Sequence, residues 1–359
     1  MRIELPISKS IANRLLILQA IHGDGLMTVS CDMPNDVRIM SEAIRLLGER
    51  REARIDLGNC GTAMRFLTAY CAQLDGKTVI LEGVERMHHR PIGQLVDALR
   101  EIGADIEYLG EEGFPPLRIK GCILDKHRIV TINNPQSTQF VSALLLIGAN
   151  VQTDSTSPYI TLTRELIQHY TTLHNSIQRY TIEKDWSSAA FWYEYVALHG
   201  GEITLPGLSR DSLQGDKVVA DIFAHLGVHT TYTTEGITLS PIAYSEASYS
   251  PLNGRPIAAQ AASRSKILVQ DFGNCPDLYP AVALTCERLG VEIHATGVES
   301  LPLKESDRLR AVREHRTDAD HRMAMALLIA GYEVDDTACI SKSYPQFIEQ
   351  WKSVNTSNE

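Results

Sequence analysis

Apolar positions fall into two patterns along the chain. In the first, an amphipathic helical stretch ends in glycine and passes into a strand with alternating polarity. It occurs at Ile44-Arg45-Leu46-Leu47-Gly48, at Leu99–Gly103 running into Ala104–Tyr108, at Ala224–Gly227 running into Val228–Tyr232, and at Cys286–Gly290 running into Val291–His294. Glycine at such a point accepts the left-handed backbone that ends a helix. The glycines at 48, 103, 227 and 290 are spaced 55, 124 and 63 residues apart. These intervals read as one, two and one units of about sixty residues, a period of repeated supersecondary units, of which six would fill the chain. The reading predicts an α/β protein of βαβαββ-like repeats.

The second pattern is a helix that opens on small or polar residues and continues almost wholly apolar. Five segments show it: Ser10–Leu18, Gly61–Leu67, Ser137–Leu145, Ser187–Trp192 and His321–Leu328. A helix apolar on every side belongs in a core, so these helices are expected inside and the sheets outside. Their first residues make good N-caps. Four of the five carry Lys or Arg at or near the start. Helix N-termini offer free N–H groups and partial positive charge, so several such ends brought together would bind anions.

Composition narrows the options. The chain has 359 residues, of which 44% are hydrophobic and 22% charged, which suits two globular domains. It has no apolar run of about 18 residues, so no membrane span or membrane partner is expected. The opening Met1–Pro6 lacks an apolar signal core,. Seven cysteines (31, 60, 71, 122, 275, 286, 339) form no C-x-x-C pair. Neither a metal site nor a disulfide framework is expected, and a reducing cytoplasm fits. The net charge of −10 argues against a nucleic-acid partner. It leaves small anions open, because a local basic cluster can outweigh distant acidic surface.

Short motifs are more specific. Ser8-Lys9-Ser10-Ile11-Ala12-Asn13-Arg14 resembles the S-K-S-x-x-N-R opening of the 5-enolpyruvylshikimate-3-phosphate synthase family. Leu57-Gly58-Asn59-Cys60-Gly61-Thr62-Ala63-Met64-Arg65 resembles its L-G-N-x-G-T-A-M-R signature. Arg86-Met87 with Arg90-Pro91-Ile92-Gly93, then Asp211–Asp216, Lys304–Leu309 and Asp320–Met325, also match in family order.

The resemblance implies a two-domain enolpyruvyl transferase fold. One domain would span 9–183. The other would comprise 1–8 plus 184–359, with the active site in the cleft between them. It further implies that the enolpyruvyl group of phosphoenolpyruvate passes to the 5-hydroxyl of shikimate 3-phosphate, releasing phosphate. Each substrate carries a carboxylate and a phosphate, which calls for converging cations, arginine above all. By motif position, phosphoenolpyruvate would meet Lys9, Asn59, Gly61, Arg90, Gln139, Arg308, His321, Arg322 and Lys342. Shikimate 3-phosphate would meet Lys9, Ser10, Arg14, Ser137, Thr138, Gln139, Thr156, Tyr159, Asp277 and Lys304, with Arg14 facing its carboxylate. Proton transfer would fall to Asp277 as base for the hydroxyl and Glu305 as acid at C3, with Lys9 sharing either role. Read from sequence alone, Asp277 is also a possible helix N-cap, and Glu305 a surface ion-pair partner of Arg308. The resemblance implies no cofactor, and a monomer is expected.

The sequence departs from the pattern in places. Ile7 stands where the family has glycine, Thr138 and Thr156 replace serines, and Lys184 and Trp186 interrupt a small-residue run. Only residues 49–56 separate Gly48 from Leu57, and only 309–319 separate Arg308 from Asp320, both far shorter than in the family. Outer strands of two repeats are therefore expected to be missing. Two rival readings follow. One is a trimmed, non-catalytic paralogue that binds ligand or partner. The other is the related transferase acting on UDP-N-acetylglucosamine, which places a reactive cysteine in a loop that here reads Gly83–His89 and contains none.

Overall fold

A computed structural model describes residues 1–173, 181–242, 248–249, 256–257 and 267–356. The chain divides into two compact units. One comprises Lys9–Cys31 and Asn35–Ile182; the other comprises Met1–Ser8, Asp32–Pro34 and Glu183–Glu359.

The first unit begins with helices α1 (Lys9–His22) and α2 (Asn35–Glu49). Then follow β1 (Glu52–Asp56), α3 (Gly61–Ala72), β2 (Thr78–Glu82), α4 (Gly93–Glu101), β3 (Asp105–Tyr108) and β4 (Leu117–Lys120). This run is a complete βαβαββ repeat, and its sheet has the order β1-β2-β4-β3. β1 and β2 are parallel, and β4 is antiparallel to both of its neighbours. Alternation puts Ile55, Val79, Leu81, Ile106, Leu117 and Ile119 on the buried face,. α3 packs on that sheet and is buried on almost every side, from Ala63 through Ala72. A shorter repeat follows: β5 (Ile129–Thr131), α5 (Thr138–Leu146), β6 (Asn150–Gln152) and α6 (Pro158–Leu173), with β5 and β6 parallel.

The second unit centres on α7 (Trp186–His199), whose residues from Trp186 to Leu198 are all buried. β7 (Ile203–Pro206), α8 (Val219–His225), β8 (Val228–Tyr232) and β9 (Gly236–Pro241) surround it, in the sheet order β7-β9-β8. The N-terminus supplies the missing first strand: Arg2 bridges Thr204 in parallel, and Ile3 N–H donates to the Thr204 carbonyl at 3.0 Å. A two-residue pair, β10 (Ser248–Tyr249) with β11 (Pro256–Ile257), precedes β12 (Ile267–Asp271), α9 (Tyr279–Leu289) and β13 (Glu292–Thr296). Then come α10 (Arg308–Glu314), α11 (His321–Ile329) and α12 (Phe347–Thr356). Among the described residues, no helix is long and apolar enough to cross a membrane.

The five apolar segments are all helices, and they lie inside, as the periodicity predicts. The glycine caps are more mixed. Gly103, Gly227 and Gly290 take positive φ, of 100°, 86° and 67°. Gly48 does not end its helix: α2 runs on to Glu49, and Arg50 N–H still bonds the Leu46 carbonyl at 3.1 Å. Lys77 Nζ donates to the carbonyls of Leu47 and Arg50. A cation thus satisfies the last carbonyls, and no left-handed glycine is needed.

The two short connections have a common form. α2 passes straight into β1, which already belongs to the next sheet. After β12, α9, β13 and α10, the chain turns through 315–320 into α11 with no strand between. In both places the closing hairpin of a repeat is absent and the βα part is kept.

Candidate active site

Nearly every residue singled out by the motifs lies at or just before a helix N-terminus. Lys9 opens α1, Gly61 opens α3, Thr138 opens α5, Arg308 opens α10, and His321 and Arg322 open α11. Three of these ends are capped by a side chain at the preceding residue: Ser137 Oγ accepts from Gln139 N–H at 3.3 Å, Asp307 from Arg310 N–H at 3.1 Å, and Asp320 from Arg322 N–H at 2.9 Å. The caps fix where each helix starts and so where its first side chains point.

In the first unit, Lys9 Nζ pairs with Asp36 Oδ2 at 3.2 Å, and Asp36 is buried in the first turn of α2. Arg90 is buried and donates from Nη1 to the carbonyl and side-chain oxygens of Asn59, both at 3.4 Å. Arg65 Nη1 bonds the Gly61 carbonyl at 3.0 Å, and its Nη2 bonds the Pro91 carbonyl at 3.1 Å. Gly61 therefore sits against two guanidinium groups. A Cβ there would meet Arg65 Nη1 and come within 2.6 Å of Arg90 Nη2. Gln139 Nε2 bonds Thr62 Oγ1 at 2.9 Å, joining the starts of α3 and α5. Thr156 is exposed and Tyr159 half-buried at the entrance to α6.

Arg14 is drawn inward. It is 2% exposed. Its Nε bonds Thr163 Oγ1 at 2.7 Å, Nη1 bonds the Ser10 carbonyl at 2.8 Å, and Nη2 reaches Ser142 Oγ at 3.2 Å and the Tyr159 carbonyl at 3.3 Å. Its guanidinium also lies over the Phe66 ring, 5.2 Å from the centroid. All of these are neutral partners. Burial pushes the Arg14 pKa down to about 10.

In the second unit, charge is concentrated around Arg308. It is 0% exposed and donates to three carboxylates: Nε to Asp320 at 2.8 Å, Nη1 to Asp277 at 2.8 Å, and Nη2 to Glu305 at 3.2 Å. Arg322 Nη2 takes the other oxygen of Asp277 at 2.7 Å. Among the described residues, Arg322 Nε and Nη1 meet no hydrogen-bond acceptor. Burial acts to lower the pKa of both arginines; the surrounding carboxylates, Asp320 most for Arg308 and Asp277 most for Arg322, outweigh it and raise both. Lys304 Nζ lies 3.9 Å from Asp277, and Lys342 Nζ lies 4.0 Å from Glu305. His321 is buried, its Nδ1 3.5 Å from Asp320.

Asp277 is not a helix cap. Leu278 holds the cap position of α9, and Asp277 turns to the two arginines instead. Glu305 does pair with Arg308, as the charge pattern allows. Sequence reasoning overlooked Asp36, Asp216 and Asp320. Asp216 is buried and accepts from Ser187 Oγ. Asp216 and Asp320 lie inside quoted motifs and were legible as carboxylates within them. No signal ties Asp36 to Lys9, because the two meet only when α1 packs on α2.

Comparison with known proteins places the chain in a family. The family model described as EPSP synthase (3-phosphoshikimate 1-carboxyvinyltransferase) matches residues 1–351. A 3-phosphoshikimate 1-carboxyvinyltransferase of Bacteroides fragilis is 37% identical over 406 aligned positions, covering 96% of this chain and 93% of that protein. The alignment is longer than the chain, so it contains gaps on this chain's side. One from Burkholderia vietnamiensis is 30% identical, with 98% and 96% coverage. A solved structure of EPSP synthase from Acinetobacter baumannii superimposes with a TM-score of 0.65 at 18% identity, covering 98% of this chain and 95% of that one, a likeness of fold. The chain belongs to the EPSP synthase (3-phosphoshikimate 1-carboxyvinyltransferase) family.

Proposed function

We infer that this chain transfers the enolpyruvyl group of phosphoenolpyruvate to the 5-hydroxyl of shikimate 3-phosphate, releasing phosphate, on the route to chorismate and the aromatic amino acids. The observation that carries the reading is Arg322. It is a fully buried guanidinium beside Arg308, with two nitrogens that have no acceptor among the described residues. Such a group calls for an anion with several oxygens, and phosphoenolpyruvate is one.

We assign Lys9, Asn59, Gly61, Arg90, Gln139, Arg308, His321, Arg322 and Lys342 to phosphoenolpyruvate. To shikimate 3-phosphate we assign Lys9, Ser10, Arg14, Ser137, Thr138, Gln139, Thr156, Tyr159, Asp277 and Lys304. We assign Asp277, whose oxygens accept from Arg308 and Arg322, as the base that takes the proton of the 5-hydroxyl as its oxygen adds to C2. Glu305 then supplies the proton that C3 gains. In the second half C3 gives up a proton, the bond from C2 to the phosphate oxygen breaks, and the enol ether re-forms. To Lys9, which pairs with Asp36, we assign a share in either transfer. We further propose that the chain works as a monomer in the cytoplasm, with no cofactor and no nucleic-acid partner.

The two lost hairpins favour one other reading, a trimmed paralogue that binds ligand without turnover. Phosphate release from the purified chain, supplied with both substrates, separates the two. Release that requires both substrates is expected; none at any substrate concentration rejects the enzyme.

A further inference from the structure

We propose that Asp320 is a positioning residue: a fixed counter-ion that holds Arg308 in place while Asp277 and Glu305 are the counter-ions an incoming anion displaces. The inference rests on the reading that Arg308 and Arg322 receive a substrate anion.

Three carboxylates surround one guanidinium, and they differ in two respects. The first is which edge they hold. Asp277 and Glu305 occupy Nη1 and Nη2, the end-on edge, one of the two edges at which a guanidinium can grip a carboxylate through two parallel bonds,. Asp320 holds Nε. An anion that binds at the Nη1–Nη2 edge takes the places of Asp277 and Glu305 and leaves Asp320 where it is. The second difference is freedom to leave. The Asp277 side chain is 23% exposed and that of Glu305 10%, so each has a way to water or to the neighbouring lysines, Lys304 and Lys342. The Asp320 side chain is 0% exposed. Both of its oxygens are committed: Oδ2 also accepts from Ser306 Oγ at 3.2 Å, and Oδ1 accepts from Arg322 N–H at 2.9 Å. A dry carboxylate with every bond made has nowhere to go.

Asp320 also caps α11, whose second residue is Arg322. One carboxylate therefore fixes the near edge of the first arginine and the helix end that presents the second. Without it, Arg308 would keep the two carboxylates that substrate removes and one long bond from Nη1 to the Pro276 carbonyl, at 3.4 Å, so its Nε edge would be left unheld.

The test compares Asp320→Asn with Glu305→Gln. Each removes one negative charge from the same guanidinium. If net charge alone mattered, both would tighten phosphoenolpyruvate binding. If the two carboxylates differ as proposed, Glu305→Gln binds phosphoenolpyruvate as tightly as wild type or more tightly. Asp320→Asn weakens it on the order of tenfold or more, because one amide oxygen cannot both cap Arg322 N–H and hold Arg308 Nε. Calorimetric titration of the full chain with phosphoenolpyruvate reads this, and phosphate-release kinetics should show the Asp320→Asn defect mainly in KM. Tightened or unchanged binding in Asp320→Asn overturns the proposal. Thermal melts check folding. If Asp320→Asn does not fold, Ser306→Ala, which removes the hydroxyl on Oδ2, takes its place; a smaller weakening is expected, and unchanged affinity overturns the proposal. Wild type that does not bind phosphoenolpyruvate overturns this inference together with the functional reading. Wild type that binds and turns over, beside an Asp320→Asn that behaves like Glu305→Gln, overturns this inference alone.

Discussion

At the scale of single residues, the site depends on groups held in unfavourable surroundings by their neighbours. Asp216 is the clearest case. Burial pushes its carboxyl up to about 6, and the negative charge of Asp277 adds to the rise, against Arg322 and the Ser187 hydroxyl. An unfolded aspartate titrates near 3.9. Between those values the folded chain holds a proton that the unfolded chain has lost. The corresponding stability is present below about pH 4 and disappears as pH rises through about 6. Asparagine does not titrate, so Asp216→Asn should melt close to wild type at pH 4 and above it at pH 7, by an amount on the order of 2–3 kcal/mol. A constant gap across that range in pH-dependent melts would exclude the mechanism. Gly61 gives a second test. Its added methyl would displace Arg90 and Arg65 rather than enter empty space. Gly61→Ala is therefore expected to raise KM for phosphoenolpyruvate and to weaken inhibition by glyphosate, a phosphonate resembling part of that substrate, by a comparable factor; a much larger factor for glyphosate would contradict this. An inhibition series at several phosphoenolpyruvate concentrations measures both; equal factors would show that the methyl acts only through the arginines.

At the scale of elements, the chain keeps the βα part of its repeats and lacks the closing hairpin at two of them. The reason is positional. Site residues sit at helix N-termini, which the strand before and the cap of each helix place; the hairpin that closes a repeat lies at the other end of the helix. The replacement turn is nonetheless strained. His315, Asp318 and Ala319 take φ of 52°, 46° and 56°, three of the four non-glycine residues with positive φ among those described. A left-handed backbone costs a residue with a Cβ about 1–2 kcal/mol, and a β-branched residue more. Ala319→Gly should raise the melting temperature modestly and Ala319→Val should lower it, the order Gly, Ala, Val being the signature of that backbone. Identical melts for all three would mean that the turn is not left-handed there.

At the scale of the whole molecule, the two substrates are assigned overlapping residues. Lys9 and Gln139 appear on both sides, and Asp277, assigned to shikimate 3-phosphate, bonds Arg308 and Arg322, assigned to phosphoenolpyruvate. Groups shared in this way couple the two binding events, and coupling is reciprocal. Shikimate 3-phosphate is expected to tighten phosphoenolpyruvate by about fivefold or more, and calorimetry of the second ligand with and without the first measures it. Equal affinities in the two titrations would remove the coupling. Loss of a proton-transfer group typically costs about 10²–10⁴-fold in rate. Lys9→Met and Glu305→Gln should each lower turnover on that scale; Glu305→Gln should leave the melt intact, and Lys9→Met, which removes the cation beside the buried Asp36, should lower it,.

The amino-acid sequence by itself determined the family, the inner helices and the arginine-rich motifs. These are local matters: an apolar helix records its burial in its own composition, and a motif records its residue types in order. It also showed where hairpins were missing, because length is legible. Other features needed the tertiary structure. Gly48 follows a common helix-ending pattern, and only the approach of Lys77 from another part of the chain makes that ending unnecessary. Asp277 had the sequence position of a cap, and two arginines 31 and 45 residues further on claimed it instead. Asp36 became the partner of Lys9 only through helix packing. Ion pairs between buried groups depend on distance and on exclusion of water, and both are set by how distant segments pack, so the choice of partner among several eligible charges belongs to the fold.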